Sequence, residues 1–372
     1  MGMKVNQQRL VDEFLELVQI DSATKNERQI ADVLKSKLQA LNLEVTEDDS
    51  GPKIQGNTGN LIAILEGELD NPPLLFCAHM DRVQPGLGIK PQISDGVIKS
   101  DGSTILAADD VAGICAILEG IRIIQEKRIP HGRLEILFTV AEEGGLFGAK
   151  AFDAAKLQAR AGYFLDADGP VGTIVVQAPA QKGIDITVRG KAAHAGVAPE
   201  TGISAILVAA HALTKMNLGR IDLETTANIG VIEGGAATNI IPDKVELKGE
   251  ARSRNGAKLE KQIEHMAEIA RKTCLDYGVT AEIKIEDCYS AFSLNQDDYV
   301  VKLACKAARA IGLEPRLEST GGGSDANIIN GYGIPSVVLG MGYSQVHTTS
   351  ESIPIDQLVK AAQYVISIAA NN

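Results

Sequence analysis

Long apolar runs are absent from this sequence. No uncharged apolar stretch reaches about 18 residues, the length that a membrane-spanning helix requires. The first residues, MGMKVNQQRLVDEF, also lack the charged segment followed by an apolar segment that is typical of a secretory signal. These absences predict a cytoplasmic protein that does not contact a membrane.

The cysteine pattern excludes two further kinds of site. The chain has five cysteines, an odd number, and none of them belongs to a C-x-x-C pair. A disulfide framework needs paired cysteines, and a thiolate zinc site needs closely spaced ones. We therefore expect free thiols in a reducing compartment at Cys77, Cys115, Cys274, Cys288 and Cys305.

Clustered positive charge is also missing. The formal net charge is -12 at pH 7, and the sequence has no run of Lys and Arg. Nucleic-acid binding depends on such clusters because they neutralise phosphates, so no nucleic-acid partner is expected. The acidic excess instead leaves carboxylates available as metal ligands.

Apolar strands and amphipathic helices alternate along most of the chain. The 372 residues, 45% of them hydrophobic, are enough for two domains with separate cores. Helical spacing of apolar residues occurs at 8–20, 27–41, 110–125, 298–311 and 355–369, and short apolar runs occur at 61–65, 73–79, 133–140 and 335–341. The alternation predicts an α/β fold in which helices cover a sheet.

The stretch between residues 181 and 290 has a different pattern. It predicts strand, helix, strand, strand, helix and strand at 183–190, 202–217, 227–233, 244–252, 258–277 and 280–287. This order is that of a ferredoxin-like α+β domain. We therefore predict an inserted domain at 181–290 that interrupts an α/β domain formed by residues 1–180 and 291–372.

The apolar run PLLFCAHMD ends in a histidine and an aspartate, His79 and Asp81. Because side chains alternate along a strand, these two residues point to the same side. A carboxylate beside a histidine is a common means of fixing the tautomer of a metal-bound imidazole. Alternatively, His79 is a solvated histidine at the end of a strand.

Paired acidic residues accompany two other predicted elements. Asp109 and Asp110 stand at the start of a helix, and Glu142 and Glu143 follow a buried strand. Helix capping explains one of the two aspartates better than both. Adjacent carboxylates repel each other, so the glutamates indicate a nearby cation or a proton-carrying group with a raised pKa, unless they form a solvated loop.

Two later segments add further candidate ligands. YFLDADGP offers Asp166 and Asp168 at a strand end, and GYSQVHTTSE offers His347 in a polar loop. Ligands of open α/β sheets collect at the carboxyl ends of the strands. Two imidazoles and three carboxylates gathered there would suit two zinc ions about 3.5 to 4 Å apart, with one carboxylate bridging them.

Taken together, the five motifs resemble those of a known enzyme family. HMD, ADD, EEG, D-x-D-G and VHTTSE, in this order, look like the zinc exopeptidase family that includes peptidase T, aminoacylase, glutamate carboxypeptidase and succinyl-diaminopimelate desuccinylase. The resemblance covers nearly the whole chain. It implies a catalytic domain with a mixed sheet covered by helices and, between the fourth and fifth motifs, an inserted lid and dimerisation domain.

The resemblance also implies five metal ligands and two catalytic residues. The ligands are His79 and Asp168 for one zinc ion, Glu143 and His347 for the other, and Asp109 as the bridge. Glu142 would be the general base, and Asp81 would orient His79. Two zinc ions per subunit are therefore expected, with cobalt or manganese as alternatives.

Three residues of the inserted domain are implied to contact the substrate. GKAAHAG looks like the lid segment of the family, so His194 would reach the substrate carbonyl oxygen, often across a dimer interface. Asn239 in GGAATNIIPD and Arg252 in GEARS match a substrate-side asparagine and a carboxylate-binding arginine. Without the resemblance, His194 is a turn residue and Arg252 is a member of a surface ion pair.

Two positions depart from the family pattern. Members of peptidase T character often have Lys after the paired aspartates, whereas Val111 stands here, and this leaves the substrate class open. The fourth motif contains an additional acid, so Asp166 is an alternative to Asp168 as ligand. The spacing from Tyr163 favours Asp168.

The expected activity is hydrolysis of a short peptide. The leading hypothesis is an aminopeptidase that releases the N-terminal residue of tripeptides. A deacylase or carboxypeptidase acting on N-acyl or N-carbamoyl amino acids would use the same residues, and a non-catalytic zinc-dependent binding protein is the third hypothesis. The expected partners are the peptide substrate and a second copy of the chain, bound through the inserted domain.

Overall fold

The computed structural model describes residues 4–372, so the first three residues of the predicted α/β domain lie outside the described part. Its helices are α1 (Gln7–Val18), α2 (Arg28–Ala40), α3 (Ser50–Ile54), α4 (Ala108–Lys127), α5 (Phe147–Ala151), α6 (Ala205–Leu213), α7 (Gly256–Asp276), α8 (Tyr299–Ala310), α9 (Asp325–Gly331) and α10 (Ile355–Asn371). Its strands are β1 (Glu44–Glu47), β2 (Leu61–Leu65), β3 (Leu74–His79), β4 (Pro91–Ser94), β5 (Val97–Ser100), β6 (Leu134–Thr139), β7 (Ala161–Ala167), β8 (Thr173–Ala178), β9 (Ala180–Arg189), β10 (Ala193–His194), β11 (Gly219–Arg220), β12 (Thr225–Gly234), β13 (Ile240–Ile241), β14 (Lys244–Ser253), β15 (Thr280–Tyr289), β16 (Phe292–Ser293), β17 (Arg316–Ser319), β18 (Ser336–Gly340) and β19 (Ser352–Pro354). Among these residues, no helix is both long and apolar enough to cross a membrane.

The chain divides into two compact units. The first contains the residues up to Val176 together with Ser293–Ser319 and Ser324–Asn372. The second contains Gln177–Phe292 and the short segment Thr320–Gly323. The predicted inserted domain at 181–290 lies within the second unit, whereas the addition of 320–323 to that unit was not predicted.

The first unit is built on a mixed sheet, as the predicted α/β fold requires. The strand order includes β1-β2-β6-β3-β7-β18-β8. The central neighbours β6, β3, β7 and β18 are parallel, whereas β1, β2 and β8 join antiparallel. Because the four central strands run in one direction, their carboxyl ends meet at one edge of the sheet.

The central strands are apolar because their side chains are buried on both sides of the sheet. All six residues of β3 are buried, and so are all six of β6. Helix α4 is buried over most of its length and packs on β3 and α10, which explains why its sequence is apolar around most of its circumference. Gly113 permits this packing, since a Cβ atom there would lie 2.8 Å from the carbonyl oxygen of Leu165 in β7.

The second unit has its own antiparallel sheet and core. Its strand order is β11-β12-β14-β9-β15. The main elements follow one another as β9, α6, β12, β14, α7 and β15, with the two-residue strands β10, β11 and β13 between them. Val188 of β9, Val208 of α6, Leu247 of β14 and Met266 of α7 belong to one hydrophobic core.

Candidate active site

The carboxyl ends of β3, β6 and β7 carry most of the predicted ligands. His79 is the last residue of β3, Glu142 and Glu143 follow β6, and Asp166 is the penultimate residue of β7. Since these strands are parallel neighbours, their ends lie side by side. The oxygen and nitrogen atoms that His79, Asp109 and Glu143 offer lie within 4.8 Å of one another.

Asp109 lies between the two predicted histidine ligands. Its Oδ1 is 3.0 Å from His79 Nε2, and its Oδ2 is 3.2 Å from His347 Nε2. His347 Nε2 is also 2.9 Å from Glu143 Oε1. Each oxygen of one carboxylate therefore faces a different imidazole, which is the arrangement expected of a ligand shared between two metal ions.

The tautomer of His79 is fixed by a main-chain oxygen. His79 Nδ1 lies 2.9 Å from the carbonyl oxygen of Asp81 and 3.6 Å from the Asp81 carboxylate. A carbonyl oxygen can only accept a hydrogen bond, so Nδ1 is the donor and Nε2 faces Asp109. The residue predicted to orient His79 is thus in place, and the closer of its two contacts comes from the backbone.

The carboxylate of Asp81 holds the segment after β6. It accepts the backbone N–H of Glu142 at 2.8 Å and that of Glu143 at 3.3 Å. The hydroxyl of Thr24 donates to its second oxygen at 2.7 Å. Asp81 therefore connects the orientation of His79 with the position of both glutamates.

The side chain of Glu142 is buried at this edge of the sheet. Burial, followed by the negative charge of Asp166, raises the pKa of Glu142 well above its ordinary value. A carboxyl group with a raised pKa can exchange a proton near neutral pH, which a general base requires.

The surrounding acids raise the pKa of both imidazoles. Burial alone would lower the pKa of His79, but hydrogen bonding to Asp109 and Asp81 raises it well above its usual value. The neighbouring carboxylates of Asp109 and Glu143 raise the pKa of His347 to about 10. Burial opposes ionisation of Asp109, yet its hydrogen bonds to His347 and His79 lower its pKa.

Asp166, rather than Asp168, stands beside His79. Asp166 Oδ1 is 3.8 Å from His79 Nε2. In the pairing of β3 with β7, Cys77 is opposite Phe164, and His79 and Asp166 each lie two residues further along their strands. Among the described residues, Asp168 is in neither cluster of possible metal-binding atoms, whereas Asp166 is. This placement favours Asp166 over the predicted Asp168.

The residues fit a metal ion on chemical grounds. Imidazole nitrogens and carboxylate oxygens are the usual ligands of zinc in catalytic sites. Glu143 Oε1 is buried and accepts no hydrogen bond of good geometry, although His347 lies next to it. A buried carboxylate oxygen without a donor is costly, and a bound cation would remove that cost.

Several buried acids around the site were not predicted to have a role. Asp110 accepts the backbone N–H of His79 and of Gly113, and so joins the end of β3 to α4. Glu351 accepts backbone N–H groups from the segment that carries Asp109. Asp325 is also buried, and burial raises its pKa to about 6. The motifs ADD and VHTTSE contained Asp110 and Glu351, but not the long-range contacts that reveal what they do.

The backbone adopts an uncommon conformation next to three site residues. Ala107, Ala141 and His347 have φ angles of 59°, 52° and 62°. Positive φ is unfavourable for residues with a Cβ atom, and such residues cluster at functional sites. Each of these residues is a ligand candidate or lies within two residues of one. The surrounding structure therefore stabilises an unfavourable backbone conformation next to the candidate ligands.

The three predicted substrate residues lie in the second unit. His194 is exposed on β10 and pairs with Ile240 of β13, while the carbonyl of the adjacent Asn239 accepts the N–H of Ala195 at 2.9 Å. The structure therefore places His194 next to the start of β13, which Asn239 directly precedes. Arg252 on β14 binds Glu250 through two hydrogen bonds, of 2.8 Å from Nε and 3.1 Å from Nη2.

Known proteins resemble this chain over its full length. The sequence profile of peptidase family M20/M25/M40 matches residues 75–371. The uncharacterized protein YqjE of Bacillus subtilis (strain 168) is 50% identical over 364 residues, which make up 98% of this chain and 98% of the relative.

Two crystal structures share the fold closely. Aminopeptidase PepT from Bacillus cereus ATCC 10987 is 50% identical, with a TM-score of 0.90 and coverage of 100% of this chain and 99% of the other. A tripeptidase from Staphylococcus aureus subsp. aureus Mu50 is 45% identical, with a TM-score of 0.94 and coverage of 99% of each chain. The resemblance predicted from the motifs is thereby confirmed, and the chain belongs to peptidase family M20/M25/M40.

Proposed function

We propose that this chain is a two-metal aminopeptidase that releases the N-terminal residue of short peptides, tripeptides in particular. The observation that carries the proposal is the position of Asp109, whose two oxygens face His79 and His347 separately. A single structural ion pair would not need one carboxylate between two imidazoles at the carboxyl edge of a sheet. The names of the similar aminopeptidase and tripeptidase structures support the substrate class.

The donor atoms divide into two ligand sets. One contains His79 and Asp166, the other contains Glu143 and His347, and Asp109 belongs to both. We propose that each set binds one zinc ion, two per subunit, with cobalt or manganese as substitutes. When bound, the metal ions would polarise the substrate carbonyl and make a water molecule easier to deprotonate.

Glu142 would perform the proton transfers of the reaction. It would take the proton of the attacking water as general base and then deliver it to the amine that leaves when the peptide bond breaks. Burial raises its pKa, which favours uptake of the proton from the water. Asp81 would hold Glu142 in place through the hydrogen bond to its backbone N–H.

The second unit would supply contacts to the substrate. We propose that His194 and Asn239 bind the peptide and that Arg252 binds its carboxylate. Arg252 uses Nε and Nη2 to bind Glu250, which leaves Nη1 for a substrate carboxylate. The same unit would serve as the lid.

We also propose a homodimer formed through the second unit. In the described residues, β11 pairs only with Thr226 and Ala227, so the rest of the outer edge of β12 is without a partner strand. Four apolar residues on α6 and β12 are exposed: Ile206, Leu207, Val231 and Ile232. An unpaired strand edge with exposed apolar neighbours is a typical surface for association.

The association can be tested by sedimentation velocity. Ile232→Asp should convert a dimeric parent into a monomer, because a charge would be buried in the interface. Leu275→Asp is the matched control, since Leu275 is an exposed apolar residue on α7 and belongs neither to α6 nor to β12. A monomeric parent, or a dimer that tolerates Ile232→Asp, would contradict this interface.

A cytoplasmic location is the remaining proposal. No disulfide joins any of the five cysteines in the described part of the chain, and three of them are buried. Free thiols are typical of a reducing compartment. Fractionation of the native host followed by immunodetection would test the location, and recovery of the protein outside the cytoplasm would contradict it.

The activity is tested with a free tripeptide and its N-acetylated twin. Chelator-treated protein should cleave neither, and returned zinc should restore release of the N-terminal residue from the free tripeptide alone. Cleavage of only the blocked twin would instead indicate the deacylase, which uses the same residues. Tight zinc binding without cleavage of either substrate would favour a binding protein and contradict the proposal.

A further inference from the structure

Glu351 is a buried carboxylate that binds the segment carrying Asp109. Its Oε2 accepts the backbone N–H of Leu106 at 2.8 Å and that of Ala107 at 2.9 Å. Its Oε1 accepts the backbone N–H of Asp109 itself at 3.0 Å. The residue is 1% exposed, so water does not compete effectively for these three donors.

The same short segment of chain carries His347. Glu351 lies four residues after it, and the backbone N–H of Glu351 donates to the carbonyl of Thr348 at 3.1 Å. Asp109 is more than two hundred residues away in sequence. Glu351 therefore joins the loop that carries His347 to the backbone of Asp109.

We propose that Glu351 is a positioning residue that fixes the spacing between His347 and Asp109 and thereby sets the affinity of the metal centre. This inference rests on the proposed function, because it assumes that both residues bind metal. The physical reason is preorganisation: ligands already held at the right separation lose less conformational freedom when the ion binds. Residues that hold ligands in this way affect metal affinity about 10- to 100-fold when they are replaced.

A carboxylate is the only side-chain group of this shape that suits all three donors. Glutamine presents one acceptor oxygen and one NH2 group. If its oxygen stays with Leu106 and Ala107, the NH2 group faces the N–H of Asp109 and repels it. Glu351→Gln should therefore retain the fold around Leu106 and release the backbone of Asp109.

The experiment measures zinc binding to metal-free protein by competition with a chelating dye. We expect Glu351→Gln to bind zinc 10- to 100-fold more weakly than the parent. Glu135→Gln is the matched control: Glu135 is also 1% exposed and accepts the backbone N–H groups of Gln158 and Ala159. It lies near the start of β6, at the opposite end from the site, so its replacement should lower stability and leave zinc affinity unchanged.

The outcomes separate this inference from the proposed function. Parent-like zinc affinity in Glu351→Gln, or an equal loss in Glu135→Gln, would overturn the role of Glu351. If Glu351→Gln does not fold, Glu351→Asp is measured instead, because its shorter carboxylate cannot reach all three donors and should also weaken zinc. If the parent protein binds no zinc, the proposed function itself fails.

Discussion

Asp81 Oδ1 accepts the backbone N–H of Glu142 over 2.8 Å, and the carbonyl oxygen of Asp81 contacts His79 Nδ1. One residue therefore holds both the proposed base and a proposed metal ligand. The bond uses the main chain of Glu142 and leaves its side chain free. A change confined to that side chain should therefore leave the metal ligands where they are. This separation makes the role of Glu142 testable apart from metal binding.

Glu142→Gln should abolish most of the activity and leave metal binding intact. Glutamine has nearly the same shape but cannot accept a proton, and loss of a general base costs about 100- to 10,000-fold in turnover. The measurement is kcat for a tripeptide together with zinc content by atomic spectroscopy. Glu143→Gln is the contrasting variant, because it should lose zinc as well as activity. Retained turnover in Glu142→Gln with bound zinc would remove Glu142 from the role of base.

Asp166→Asn and Asp168→Asn should differ strongly. Asp166 Oδ1 is 3.8 Å from His79 Nε2, whereas Asp168 belongs to neither ligand cluster of the described residues. We expect Asp166→Asn to bind one zinc ion more weakly and to lose activity at least tenfold, and Asp168→Asn to keep the zinc content of the parent. Titration of metal-free protein with zinc checks both. The reverse pattern would restore Asp168 as the ligand.

The choice between Asp166 and Asp168 could not be made from the sequence. Asp166 is the penultimate residue of β7 and Asp168 follows the end of that strand, so a period of two residues alone offers both aspartates to the same site. The choice between them depends on how the end of β7 pairs with its neighbours. Its register with β18 shifts between Phe164 and Ala167, and such a shift is a property of strand pairing rather than of either strand alone.

Other parts of the site were predictable because their signals are local. The apolar runs of β3 and β6 end directly at His79 and before Glu142, so strand and ligand occur in one short stretch of sequence. The contacts of Glu351 and Glu27 have no such signal. Both residues bind backbone N–H groups more than one hundred residues away, and a buried acid looks like a surface acid in the sequence.

Glu27→Gln should change how stability depends on pH. Glu27 is fully buried, and burial followed by the charge of Asp81 raises its pKa from 4.5 to about 7. Such a group binds its proton more tightly in the folded state, so stability is full below pH 4.5 and falls as the pH rises through 7. Glutamine cannot ionise, so Glu27→Gln should remove this loss of unfolding free energy, which is roughly 3 kcal/mol by pH 8.

The measurement is urea unfolding of chelator-treated protein at pH 5 and pH 8. Glu27→Gln keeps an oxygen to accept the N–H groups of Lys25 and Ala141, so the local fold should survive. Glu44→Gln, an exposed acid on β1, controls for the loss of one negative charge. Parallel pH profiles for the parent and Glu27→Gln would show that Glu27 is not a source of the pH dependence.

Gly113→Ala should destabilise the first unit and weaken zinc binding together. The added Cβ would lie 2.4 Å from Asp110 Oδ1 and 2.8 Å from the carbonyl oxygen of Leu165, and neither atom can retreat without moving β3 or β7. Overpacking of this kind costs about 1 to 3 kcal/mol. Gly256→Ala in α7 is the control, since its Cβ would meet nothing within 4 Å and alanine favours the helix. Urea unfolding and zinc titration give both quantities, and a Gly113→Ala protein as stable as the parent would show that α4 can move away from the sheet.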